Sequence, residues 1–308
     1  MNPIQVEHLS KDYGFGRGVF DVSIDVAEGE TLGFLGPNGA GKSTTMRHLM
    51  GFSRPDSGHC TISGLDCLKQ HSAIMRRTGY LPGEVALPDG LNGAGFLRFM
   101  AGLRGTDPAG ADVRALLDEF ELDPTGPVKR MSIGEKRKLA VVTAFMGDPD
   151  ILLLDEPTSG LDPIMQEVFI EHVRGLKRRG KTILLSSHIF SEVEALCDRI
   201  AIIKEGRVIQ TVTAKDVSDY KQKTFELDFA DPRDVKRFTA EGFDFTVRGA
   251  DHTAGRLFLT FGDAQTQRFL DVIGGYRLTG FQEHAQTLEQ YFMHFYKSDR
   301  TFEGIAQK

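Results

Sequence analysis

The run Gly36-Pro37-Asn38-Gly39-Ala40-Gly41-Lys42-Ser43-Thr44 fits the phosphate-binding pattern G-x-x-x-x-G-K-[ST]. A short apolar strand, Thr31 to Leu35, leads into it, and a helical stretch carrying Met46, Leu49 and Met50 leads out. Gly36, Gly39 and Gly41 let the backbone curl until successive N–H groups face one anion, at the positive end of the helix dipole. Lys42 adds a full charge toward the β- and γ-phosphates, and the Ser43 hydroxyl suits a Mg²⁺ ligand. These residues predict a nucleoside triphosphate site.

A second constellation concerns hydrolysis. Ile151-Leu152-Leu153-Leu154 is four consecutive branched apolar residues, the pattern of a parallel strand covered on both faces, and it ends in Asp155-Glu156. Ligands gather at the carboxyl edge of such sheets. Asp155 is expected to hold Mg²⁺ through a water, and Glu156 to orient or deprotonate the attacking water. Phosphoryl transfer needs little covalent help, so a metal, Lys42 and a water-positioning carboxylate are most of the machinery.

The longer run from Asp155 to Pro163, Asp-Glu-Pro-Thr-Ser-Gly-Leu-Asp-Pro, resembles the Walker B and D-loop segment of ABC-transporter ATPases of the bacterial drug- and multidrug-exporter type. The resemblance spans roughly residues 4 to 215, and other pieces follow in the family's order. Tyr13, within Lys11-Asp12-Tyr13-Gly14, matches the aromatic that stacks on adenine. Ser186-Ser187-His188 matches the switch histidine that contacts the γ-phosphate. Met131-Ser132-Ile133-Gly134-Glu135 stands at the signature, and Asp162 at the D-loop. The resemblance implies catalytic roles for Glu156, His188 and Lys42, and contact of Ser132 and Gly134 with ATP held by a partner subunit.

Two segments depart from the family. At the signature, Ser132 and Gly134 keep the hydroxyl and the bare backbone, while Ile133 and Glu135 are substitutions. Ser132 to Glu135 also reads as a capping box, opening a helix with Leu139, Val142, Thr143 and Met146 on one face. Lys136, Arg137 and Lys138 are expected to offset the Glu135 charge. After Tyr80-Leu81-Pro82, where the family places a metal-reaching glutamine, this chain has Gly83-Glu84. Either Glu84 supplies a carboxylate oxygen to Mg²⁺, or water fills the position.

Composition fits a globular protein with a substantial core: 308 residues, 40% apolar and 26% charged. A net charge of −6 argues against nucleic acid as the main partner. Cys60, Cys67 and Cys197 lack metal-binding or paired spacing and read as free thiols. No segment approaches the ~20 apolar residues of a membrane-spanning helix, and the N-terminus lacks signal-peptide features, so a transporter's pore would belong to another chain.

The expected fold is α/β: a P-loop NTPase core over residues 1–215, with an antiparallel β subdomain and a helical subdomain at about 88–145. Gln5 to Leu9 and Val22 to Val26 read as antiparallel strands, and Ala94 to Leu103 and Val113 to Phe120 as helices. Phe96, Leu97, Phe99, Met100 and Leu103 are expected mostly as helical-subdomain core, some of them, with the Val85 to Leu91 loop, also forming a groove for a membrane partner's helix. Residues 216–308 read as a small α+β domain of ferredoxin-like order. Its strands are expected at 223–229, 243–247, 256–261 and 276–281. Its helices are expected opening at Asp231-Pro232, at 264–273, and from Thr287 to Tyr296 with a Leu288, Phe292 and Phe295 stripe.

The resemblance implies an ATP-hydrolysing subunit using ATP and Mg²⁺ and dimerising on ATP with a second ATPase subunit, a copy of itself in preference to a paralogue. It further implies a multi-helix membrane permease as partner and a peripheral position on the cytoplasmic face of the cell membrane. The alternatives are a regulatory ATPase or a soluble ABC ATPase that powers no transport.

Overall fold

A computed structural model describes residues 2–213, 223–241, 244–284 and Phe292. The chain divides into two compact units, Met1–Ala214 and Lys215–Lys308.

In the first unit, strands numbered in chain order form two sheets. β1 (Ile4–Asp12), β2 (Gly18–Val26), β4 (Ser57–Ile62) and β5 (Leu65–Asp66) make an antiparallel sheet in the order β2-β1-β4-β5. β3 (Thr31–Leu35), β6 (Thr78–Leu81), β7 (Ile151–Asp155), β8 (Thr182–Ser187), β9 (Arg199–Lys204) and β10 (Arg207–Thr213) make the second, in the order β10-β9-β3-β8-β7-β6. All neighbours in it run parallel except β10, which closes one edge antiparallel to β9. β3, β7 and β8 are buried at every position, which is why they carry consecutive apolar residues, such as Ile151 to Leu154 and Ile183 to Leu185, and not an alternation.

Register puts Leu35 opposite Ser187 and Asp155 opposite Ser186. Three segments far apart in sequence, those after Leu35, Asp155 and Ser187, therefore leave one sheet edge side by side. Around the sheet run α1 (Lys42–Leu49), α2 (His71–Arg77), α6 (Pro163–Arg178) and α7 (Phe190–Leu196). Met46, Leu49 and Met50 are buried.

Between β6 and β7 lie α3 (Gly93–Arg104), α4 (Ala111–Glu119) and α5 (Ile133–Phe145). α3 buries Gly93, Phe96, Leu97 and Ala101. Phe99 and Leu103, expected in the core, are 55% and 56% exposed, because they fall four residues apart on the opposite helical face. α5 is buried continuously from Leu139 to Phe145, not along one stripe.

The second unit contains β11 (Lys223–Phe229), α8 (Asp234–Thr239), β12 (Thr246–Asp251), β13 (Arg256–Phe261), α9 (Thr266–Ile273) and β14 (Leu278–His284). Its sheet runs β12-β13-β11-β14, each neighbour antiparallel. Phe225, Leu227, Phe229, Val235, Phe238, Leu257, Leu259, Phe261 and Phe269 form its core. Three boundaries differ from expectation. α8 starts at Asp234, since the Asp231 carboxylate accepts from the Arg233 N–H (2.9 Å) and closes a turn before the helix. β12 and β14 begin later than 243 and 276; Tyr276 instead donates its hydroxyl to Glu241 Oε1 (2.7 Å). The expected helix from Thr287 to Tyr296, with Leu288 and Phe295, lies outside the described residues except for Phe292, which is helical and buried.

Candidate active site

The loop between β3 and α1 owes its shape to close approach. A Cβ on Gly36 would sit 2.4 Å from the Ile203 carbonyl oxygen, and Gly41 has φ 109° with Val19 2.7 Å from where a Cβ would stand. Gly41 is the N-cap of α1, and no side chain caps that terminus, so the N–H groups of its first turn remain available to an anion.

Lys42 is buried and donates to the carbonyls of Gly36 (2.6 Å) and Pro37 (3.1 Å). Its ammonium also lies 2.9 Å from Glu156 Oε1, an ion pair outside hydrogen-bond alignment. Glu156 Oε2 accepts from His188 Nδ1–H at 2.6 Å. Lys42, Glu156 and His188 thus form a continuous chain across the ends of β3, β7 and β8. Glu156 is held with φ 46°, a left-handed conformation rare outside glycine, while its N–H donates to the Ser186 carbonyl (3.0 Å). Asp155, almost fully buried, accepts from the Ser186 hydroxyl.

Asn38, Ser43, Glu84, Asp155, Glu156 and His188 share one cleft of about 580 Å³, with Arg47, Phe52, Tyr80 and Ser159 also on its wall. Lys42 reaches it through Glu156. The remaining glycine-loop residues Gly36, Pro37, Gly39, Ala40, Gly41 and Thr44 do not form its wall. Gly83 does. A Cβ there would stand 3.1 Å from Asp155 Oδ2, so the absence of a side chain lets this turn close on the buried aspartate.

Several expected residues lie elsewhere. Tyr13 sits on the turn between β1 and β2, 49% exposed and off the cleft wall. Asp162 is the N-cap of α6, accepting from the Met165 N–H at 3.1 Å. Ser132 and Gly134 open α5 and are not on the wall of their own chain's cleft. Ser132 Oγ accepts from the Glu135 N–H (3.2 Å), and the Ser132 N–H donates to Glu135 Oε2 (2.8 Å), completing the capping box. That backbone N–H holds the Glu135 carboxyl below its usual range.

Two residues escaped the sequence reading. Glu192 of α7 is buried against the Ser187 hydroxyl, and burial pushes its carboxyl up to about 7. Arg137, expected as a charge offsetting Glu135, is 2% exposed and directs its guanidinium at main-chain carbonyls behind Glu156. Helical spacing gives no signal for it, since α5 is buried at every position from Leu139 to Phe145.

Fold and loop together define a P-loop nucleotide-binding protein. The family model for ABC transporters matches residues 19–159. Nod factor export ATP-binding protein I of Burkholderia orbicola is 39% identical over 213 residues, 67% of this chain and 69% of that protein. Daunorubicin resistance ATP-binding protein DrrA3 of Streptomyces coeruleorubidus is 37% identical over 218 residues, 70% of this chain and 69% of that protein. A solved ATP-binding subunit of an ABC transporter superposes with a TM-score of 0.64 at 32% identity, covering 70% of this chain and 91% of that one. The chain belongs to the ABC transporter family of ATP-binding proteins, with its ATPase fold and activity.

Proposed function

We propose that this chain hydrolyses ATP to drive an export transporter, working as one of two ATPase subunits beneath a separate membrane permease. The observation that carries this is the Lys42–Glu156–His188 chain across three strand ends at a cleft sized for a nucleotide. In this reading the β3–α1 loop and Lys42 bind the β- and γ-phosphates. Glu156 orients and deprotonates the attacking water, and His188, held by Glu156, meets the γ-phosphate. Tyr13 stacks on the adenine.

The donor set suits Mg²⁺. The Ser43 hydroxyl and the Asp155 carboxylate share the cleft, and only one Asp155 oxygen is bonded by Ser186, leaving hard oxygen donors. Among the described residues no group of three or more His, Cys, Asp or Glu side chains surrounds a point, which suits a cation that completes its ligands with substrate phosphates. Bound there, Mg²⁺ would neutralise charge developing on the transferred phosphoryl group. Glu84, on the cleft wall, is a further oxygen donor in place of the missing glutamine.

A second copy is the favoured ATPase partner. The exposed Ile133 (79%) beside Ser132 and Gly134, the pair assigned to the partner's ATP, and Ile164 (71%) just after Asp162 of the D-loop give these two segments an apolar surface. The permease is assigned to a groove of about 420 Å³ between α2 and α3, lined by Met50, Met75, Tyr80, Met100 and Leu103. No helix among the described residues is long and apolar enough to cross a membrane, in keeping with a peripheral subunit on the cytoplasmic face.

Two substitutions test the reading. Glu156→Gln lowers turnover by roughly 10²–10⁴-fold while ATP binding persists, as measured by phosphate release and equilibrium binding. Lys42→Ala weakens ATP binding itself. Unchanged hydrolysis in the first variant, or full affinity in the second, refutes the assignment. Co-purification with a multi-helix membrane protein, and ATP-dependent movement of cargo in vesicles, test the transport role.

A further inference from the structure

We propose that Arg137 is a positioning residue for hydrolysis, tying the start of α5 and the Gly83 turn to the main chain that carries Glu156. The inference rests on the hydrolytic reading of Glu156 given above.

The Arg137 guanidinium is inaccessible to solvent, and its donors go to carbonyl oxygens of two segments. From the exit of β6 it bonds Pro82 (2.5 Å) and Gly83 (3.3 Å); from the end of β7 and its exit, Asp155 (3.1 Å), Glu156 and Pro157 (3.0 Å). Five acceptors from residues 82–83 and 155–157 converge on one planar group. They are carbonyls at the ends of strands, where the ladder no longer serves them. An ammonium has three donors and no fork, so lysine cannot reproduce the set.

The segment so held contains the strained residue. Glu156 has a left-handed backbone that a non-glycine residue keeps only when its surroundings enforce it. Arg137 bonds the carbonyls immediately before, at and after it. It also bonds Gly83, which has no side chain with which to reach the cleft. The Gly83 turn is thereby tied, through main chain, to an arginine on the helix that Ser132 caps. A buried guanidinium is costly to desolvate, and an apolar residue would fill the space at lower cost if filling were its only task. Burial lowers its pKa to about 10, so it stays charged at neutral pH.

The test uses the full chain, with Arg137→Lys and Arg137→Gln beside Glu156→Gln, each checked for folding by circular dichroism. Turnover of folded Arg137→Lys and Arg137→Gln falls about 10- to 100-fold, the scale of a misplaced reacting group. Affinity for a slowly hydrolysed ATP analogue stays within about threefold of the parent, a split between kcat and binding that loss of packing alone would not give.

A folded variant with kcat within about twofold of the parent, or with affinity and turnover lost in parallel, overturns the proposal. So does failure of both variants to fold, which would make the role structural. If Glu156→Gln loses turnover and the Arg137 variants do not, this inference alone fails. If Glu156→Gln keeps full turnover, the hydrolytic reading fails first.

Discussion

Glu192 shows how a single residue at this site couples chemistry to stability. Its carboxyl is raised from near 4.5 to about 7, chiefly by burial, with its bond from the Ser187 hydroxyl acting in the opposite direction. Between those values the folded protein binds more protons than the unfolded chain, so this group lowers stability as pH rises through the window. Glu192→Gln keeps an acceptor for Ser187 and removes the buried charge. Its melting temperature should exceed the parent's at about pH 8, with the difference shrinking toward about pH 5, as thermal denaturation at the two pH values would show. A constant difference would remove burial of charge as the cause. Local chemistry at this scale was legible: the Ser132–Glu135 box spans four residues, and Asp155-Glu156 ends an unmistakable buried strand. Arg137 was not, because its acceptors lie about 20 and 55 positions away in sequence and no periodicity encodes which carbonyls a guanidinium will find.

Elements carry the next level of constraint. β3 packs against α7 so closely that a Cβ on Gly33 would meet Cys197 Sγ and a Val193 methyl, each at 2.8 Å. Gly33→Ala is therefore expected to cost about 1–3 kcal/mol by overpacking, measurable in urea denaturation, and to disturb the turn carrying His188. Ser132→Ala, by contrast, should cost about 0.5–2 kcal/mol through loss of the α5 cap, with or without nucleotide, whereas Ser132→Asp should retain most of it. The interior strands were readable because burial on both faces favours unbroken apolar runs, as in Ile151 to Leu154 and Ile183 to Leu185. β12 begins later than its sequence pattern suggests: it is an edge strand, exposed at nearly every position, and the alternation of Phe243, Phe245 and Val247 in the sequence precedes or only overlaps its start. α3 misled in the opposite way, because Phe99 and Leu103 are apolar yet face outward, where the sequence pattern alone cannot separate a core face from a docking face.

At the scale of the whole molecule, each unit has a core of its own, the second built largely from phenylalanines. Calorimetry is expected to resolve two transitions, and Phe238→Ala, costing about 3–5 kcal/mol, should lower only the one belonging to Lys215–Lys308 while ATP affinity stays unchanged. Simultaneous loss of both transitions would show that the units do not melt separately. The three cysteines supply a label for telling them apart. Cys60, Cys67 and Cys197 are all buried in Met1–Ala214, and burial raises every one of their thiol pKa values, that of Cys60 to about 12. A chromogenic disulfide reagent at neutral pH is thus blind to the native protein and to any opening of the C-terminal unit, and colour develops only when the ATPase half comes apart. The wild-type chain carries a built-in stopwatch for one half of itself.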